Sequence, residues 1–169
     1  MEPGTPPRSP RRGPVRHFDN VLSAYRAAAA DLDRRFLEAF FGEDGAPRLG
    51  DVELWSRISS QAYFALLFSQ LETEINELCG ALIRHRRSGD DWMERRAWEI
   101  LGQRDVRNIH FMDRVALLTR KGGTVYNRIK ELYDTRNKIA HGDLLTESLD
   151  VADIAKDIER IAVQLKGVT

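Results

Sequence analysis

The sequence predicts an all-α fold, an antiparallel bundle of four to six helices, and three observations carry that expectation. Apolar residues recur at intervals of three and four through nearly all of the chain after residue 17. No run alternates apolar and polar residues as a half-buried strand would. The glycines and prolines gather in short stretches that divide the periodic segments without interrupting them. Helices joined by short connections and apolar on one stripe must bury that stripe against each other.

Residues 1–16 stand apart. They hold five of the six prolines together with Arg8, Arg11, Arg12 and Arg16, and offer almost nothing to bury. We read them as a disordered, basic, Pro-rich tail, either an untethered terminus without a role or an arm for phosphate contacts, and residues 17–169 as a single helical domain. A first helix starts near Asp19 and carries Val21, Leu22, Tyr25, Ala28, Ala29, Leu32, Phe36, Leu37 and Phe40. Gly42 to Gly50, with Pro47, breaks it. Asp51 is the expected cap of a longer helix reaching about Arg87, with Leu54, Ile58, Phe64, Leu67, Phe68, Leu71, Ile75, Leu78 and Leu82 as its apolar set. After "RSGDD" come two shorter helices, Asp91 to about Leu101 and about Ile109 to Thr119. "KGGT" then stops the chain, and Thr124 is the expected cap of a helix from Val125 to about Ala140. The last helix, from about Leu149 to Leu165, places Val151, Ile154, Ile158, Ile161, Ala162 and Leu165 on one face. Trp55, Trp92 and Trp98 are expected to pack rather than to stack on bases.

Composition narrows the function. The 169 residues are 42% hydrophobic, enough for one sizeable core, and 26 Lys and Arg balance 26 Asp and Glu. There is no whole-chain basic field, so a nucleic-acid partner must be met locally. The single cysteine, Cys79, excludes an intrachain disulfide and argues against a thiolate metal site; no metal and no cofactor are expected. No apolar run approaches the ~18 residues of a membrane span, and the amino terminus lacks the apolar stretch of a secretory signal. A cytoplasmic protein without a membrane partner is the expectation.

The segment "YDTRNKIAHGD", Tyr133 to Asp143, carries the chemistry. At about 100° per residue, Val125, Ile129, Leu132, Ile139 and Ala140 share one apolar arc, and Arg136 falls near its centre. An unpaired guanidinium buried there would cost several kcal/mol. The position therefore calls for a carboxylate, a phosphate or an interface cleft, with Glu72 or Glu74 of the long helix as candidate balancing acids. Asn137 and His141 are four apart, close enough for the amide to orient the imidazole. A histidine in the last helical turn also sits at the negative end of the helix dipole, which favours its protonated form.

Those residues resemble the signature of HEPN domains, in which an arginine and a polar residue precede a histidine by a short spacing on a late helix of an all-α bundle. Here the spacing is Arg, four residues, His, with Asn after Arg and Gly after His. The likeness extends over roughly residues 50–166 through the long helix "FALLFSQLETEINELCGALI", the motif helix and the final amphipathic helix. It implies a C2 homodimer with the two motifs facing across a cleft. It also implies a metal-independent endoribonuclease of toxin, anti-phage or RNA-processing type, leaving a 2′,3′-cyclic phosphate and a 5′-hydroxyl. Arg136, Asn137 and His141 would be the catalytic set, and Lys138, Tyr133 and Glu72 candidate substrate-binding residues. The chemistry suits them: RNA carries its own nucleophile in the 2′-OH, so cleavage needs an imidazole to move protons and a fork-shaped cation to hold the phosphate. One motif supplies one imidazole, and a dimer supplies two.

Asp143 stands where toxins neutralised by nucleotidyltransferases commonly carry a tyrosine. No part of the chain resembles such an enzyme, so an antitoxin or other regulator would be a separate protein. A second Arg–His spacing, Arg104 to His110, repeats the Arg-Asn pair at Arg107 and Asn108; lying between two short helices, it reads as a loop contact that could line an RNA path. The alternative function is a catalytically inactive HEPN-like module that binds RNA, a nucleotide or a protein through the same cleft.

Overall fold

The computed structural model describes Val15 and residues 17–167. Within them six α-helices follow one another: α1 (Phe18–Phe41), α2 (Leu49–Arg87), α3 (Trp92–Leu101), α4 (Phe111–Leu118), α5 (Thr124–Ala140) and α6 (Val151–Lys166), with a single 3-10 turn at Val106–Asn108 before α4. No strand occurs among the described residues. No helix among them is long and apolar enough to cross a membrane.

The 39-residue α2 is the axis, and every other helix packs against it. Its buried residues, from Val52 through Phe64, Leu67, Phe68, Leu71, Ile75 and Cys79 to Ile83, keep the three-and-four spacing that the sequence shows. α1 folds back along α2 as a helical hairpin, with Tyr25 edge-on to Tyr63 at 5.5 Å between ring centroids. α6 closes the other side with Val151, Ala155, Ile158, Ile161, Ala162 and Leu165, all buried. α4 and α5 form a second hairpin that brings Phe111, Met112, Val115 and Leu118 together with Ile129 and Leu132 in the same core.

Boundaries differ from expectation where capping chemistry is local. Asp51 lies in the first turn of α2, whose N-cap is Arg48, and Thr124 is the first residue of α5 after the Gly123 cap. An acid inside the first turn still complements the helix dipole, so the composition signal survives a shift of the start. Asp91 and Asp150 are side-chain caps, accepting from Met93 N and Glu94 N and from Asp153 N respectively.

Apolar residues at the chain's outer elements are less buried than their spacing suggests. Phe36, Leu37 and Phe40 of α1 are exposed: among the described helices α1 packs chiefly on α2, which leaves these side chains uncovered. Trp55 and Trp92, expected to pack, are also exposed, and α3 buries no residue fully. Ile58 on the long helix likewise faces solvent. The tail expectation falls on residues outside the described ones except at Val15. That side chain is only 4% exposed and belongs to the core, so the buried domain begins inside the stretch read as tail.

Candidate functional site

α5 carries the motif segment, and its end is built with care. Gly142 takes the left-handed conformation at φ 94°, which only glycine adopts without strain. The chain then turns back so that His141 N donates to Asn137 O at 2.9 Å, Gly142 N to Ile139 O at 3.0 Å and Asp143 N to Lys138 O at 3.1 Å. Three carbonyls of the last turn are thereby satisfied by a Schellman-type stop. His141 is the residue at the corner, exposed to solvent.

The extended segment that leaves this corner is strapped to α2. Gln61, buried on α2, donates from Nε2 to Leu145 O at 3.2 Å and accepts at Oε1 from Leu145 N at 3.3 Å. Ser60 Oγ accepts from Leu149 N at 3.3 Å, and Arg57 donates to Thr146 O at 3.4 Å. A side-chain amide paired with both backbone groups of one residue replaces a strand neighbour and leaves neither buried group unsatisfied. Gln61 and Ser60 thus place His141 relative to the bundle. Sequence reasoning missed them; two polar residues inside the apolar rhythm just before Phe64 were the available signal.

Arg136 lies on the expected face but one turn beyond its deepest part. Ile129 and Leu132 are buried, whereas Arg136 is half-buried and Ala140, four residues on, is exposed. Half-burial removes much of the cost that full burial of an unpaired guanidinium would carry. Arg136 Nη1 donates to Asn137 Oδ1 at 3.3 Å. The Asn137 amide therefore serves the arginine, and its link to His141 runs through the backbone carbonyl. Among the described residues no carboxylate lies within ion-pair distance of Arg136.

The acids proposed to balance it are engaged elsewhere. Glu74 pairs with Lys166 of α6 at 2.9 Å. Glu72 accepts from Arg114 Nη2 at 3.3 Å, so it is no partner of Arg136. Two further acids on α5 are paired on their own helix, Asp134 with Lys130 at 2.5 Å and Glu131 with Arg128 at 2.9 Å. The carboxyl end of α5 is left with Arg136, the exposed Lys138 and His141 against the exposed Asp143 alone.

Tyr133 is half-buried. It stacks on Phe111 of α4 at 4.7 Å between centroids, with 30° between ring planes, and lies 6.2 Å from Phe68 of α2. Its other aromatic neighbour is His110, 6.3 Å away and perpendicular. The second Arg–His segment, read from sequence as a loop contact, thus ends against the motif helix one turn before Arg136. Beneath this cluster Arg114, only 5% exposed, holds its guanidinium 5.3 Å over the Phe111 ring and donates to Glu72 and Asn76, while its Nε has no partner among the described residues.

Cys79 is buried beside Arg114, its thiol donating to Arg114 O at 3.1 Å. Burial pushes the thiol up to about 11, with the Arg114 charge acting in the opposite sense. Among the described residues no three His, Cys, Asp or Glu gather as metal ligands would. Two hollows of about 490 Å³ and 530 Å³ lie elsewhere, the first between α1, α2 and the strapped segment at Asp33, Glu53 and Thr146, the second between α4, α5 and α6 at Leu117, Tyr126 and Gln164. Neither is lined by residues 133–143. Comparison of the chain with family models, curated proteins and solved structures returns no match.

Proposed function

We propose that this chain is a metal-independent endoribonuclease of the HEPN kind, acting as a C2 homodimer whose two α5 helices meet across a shared groove. The observation that carries this reading is the state of Arg136: a half-buried guanidinium oriented by Asn137, without a carboxylate partner among the described residues, one turn from an exposed histidine at a rigid helix end. A scissile phosphate is the anion that such a cation and imidazole together would use. The 2′-oxygen attacks phosphorus as its proton passes to one imidazole; the bond to the 5′-oxygen breaks and that oxygen takes a proton from the other. Each protomer supplies one His141, so the acid and the base come from two copies. Arg136 holds the non-bridging oxygens as charge grows on them. An antitoxin or other regulator would be a separate protein.

Purified protein incubated with mixed cellular RNA in the presence of chelator tests this. Wild type is expected to cleave, with products ending in 2′,3′-cyclic phosphate. His141→Ala should lose roughly a hundredfold or more of the rate. Arg136→Lys keeps the charge but loses the two-point fork, and should lose activity while fold and dimer persist. Full cleavage by Arg136→Met, or a monomer at tens of micromolar protein in light scattering, would overturn the composite site. RNA binding without cleavage by the wild type would favour the silent binding module instead.

A further inference from the structure

His110 sits at the junction of the 3-10 turn and α4, exposed, with its backbone carbonyl accepting from Asp113 N at 3.0 Å and Arg114 N at 3.1 Å. Its main chain is therefore fixed as the cap of α4. Its ring stands perpendicular to Tyr133, so a flat face of the imidazole is turned away from the only ring it touches among the described residues. Tyr133 cannot yield, because its own face is stacked on Phe111, and Phe111 is held in turn by the Arg114 guanidinium above it and the Phe68 ring 5.5 Å away. Tyr133 precedes Arg136 and Asn137 by three and four residues, so the three side chains are neighbours along one helix face. The exposed His110 ring thus lies 6.3 Å from Tyr133, which itself precedes Arg136 by about one helical turn, so ring and guanidinium flank the same side chain. A single strand offers phosphates and flat bases in alternation, and a base stacked on an exposed aromatic ring is the usual sequence-tolerant contact.

We propose that His110 is the stacking residue of a nucleobase subsite, taking the base next to the phosphate held by Arg136. This rests on the reading of the Arg136–His141 surface as an RNA site. Arg104 and Arg107 are exposed on the connection that leads to His110, with the exposed Asp105 between them. The buried Arg114 network acquires a purpose here, since it locks the aromatic stack that aims His110.

The test uses the full chain and a single-stranded 2′-O-methyl oligoribonucleotide, which lacks the attacking hydroxyl and cannot be cleaved, beside an abasic oligomer of the same backbone. Binding is read by fluorescence anisotropy for wild type, His110→Ala and His110→Phe, with thermal melts confirming that each variant folds. The expected result is a loss of roughly tenfold or more for His110→Ala on the base-bearing oligomer, little change on the abasic one, and near-wild-type affinity for His110→Phe. Unchanged affinity in His110→Ala, equal loss on both oligomers, or failure of Phe to restore binding overturns the subsite; the last would mean that the imidazole's protons matter rather than its face. Cleavage of ordinary RNA separates this from the broader reading. Base-dependent binding without cleavage leaves the subsite standing and removes the ribonuclease. Intact cleavage with His110→Ala indifferent does the reverse, and a wild type that binds no RNA removes both.

Discussion

Replacing Arg114 by alanine should be among the most damaging single changes in the molecule. The side chain is 5% exposed, is paired with Glu72 at 3.3 Å, donates to Asn76 and covers Phe111. Two charge-assisted hydrogen bonds are worth about 1.5–3 kcal/mol each and the cation–π contact about 1 kcal/mol. Against this stands the guanidinium's desolvation, several kcal/mol that the alanine variant no longer incurs on folding, and breaking a buried pair leaves a net cost of about 3–5 kcal/mol. Glu72 keeps 30% of its side chain exposed and rehydrates when abandoned, which places the result near the lower end, about 3 kcal/mol. For a domain of this size that lowers Tm by about 6–12 °C. Arg114→Met fills most of the same volume, keeps the stem on Phe111 and deletes the unpartnered Nε, so it should cost only about 1 kcal/mol. Calorimetry or circular-dichroism melts of the three proteins decide the matter. Alanine melting within about 2 °C of wild type, or methionine falling as far as alanine, would refute the assignment of the loss to charge, cavity and contact together.

Three further outcomes follow from local geometry. Cys79 should resist a thiol reagent in the native state at neutral pH and react only on unfolding. With its folded pKa raised, the thiol's contribution to stability is complete below about pH 9 and is lost as pH climbs towards about 11, so wild type should lose stability relative to Cys79→Ala across that interval. Gly142→Ala should cost about 1 kcal/mol, from backbone strain alone, since nothing lies within 4 Å of the added carbon; no change in denaturant midpoint would contradict the left-handed stop. Asp150→Ala removes the side-chain cap at Asp153 N and should cost about 1 kcal/mol, measurable in the same titration.

Sequence periodicity proved legible for helices and less so for depth. Spacing names most of the buried residues of α6 and of the middle of α2, Phe64 to Ile75, where neighbouring helices cover the stripe, but not Leu54 or Ile58 near the start of α2. The same spacing on α1 names Phe36 and Phe40, which are exposed, since a stripe records which residues share a face and not whether anything covers it. Arg136 shows the intermediate case: its angle was readable, but its emergence at the surface depends on Ile129 and Leu132 being the last buried residues of α5. Choice of ion-pair partner was not legible at all. Glu72 lies 42 positions before Arg114 and 64 before Arg136, and only the packing of α4 against α2 selects between them. His110 reads from the sequence as part of a loop contact that could line an RNA path, whereas its packing on Tyr133 is a contact that no local pattern encodes.

The central position of α2 has a consequence while the chain is being made. Its apolar stripe is finished at Ile83, yet the helix that seals it, α6, begins only at Val151 and ends at Lys166. At about 5–20 residues per second, a ribosome needs roughly 4 to 16 s to supply that stretch. During those seconds α1, then α3, α4 and α5 as they emerge, can shelter parts of α2, and the face destined for α6 stays open. A nascent chain of this kind is a client for chaperones that hold apolar helices. A message cut short before Val151 would deliver insoluble protein rather than a smaller working domain.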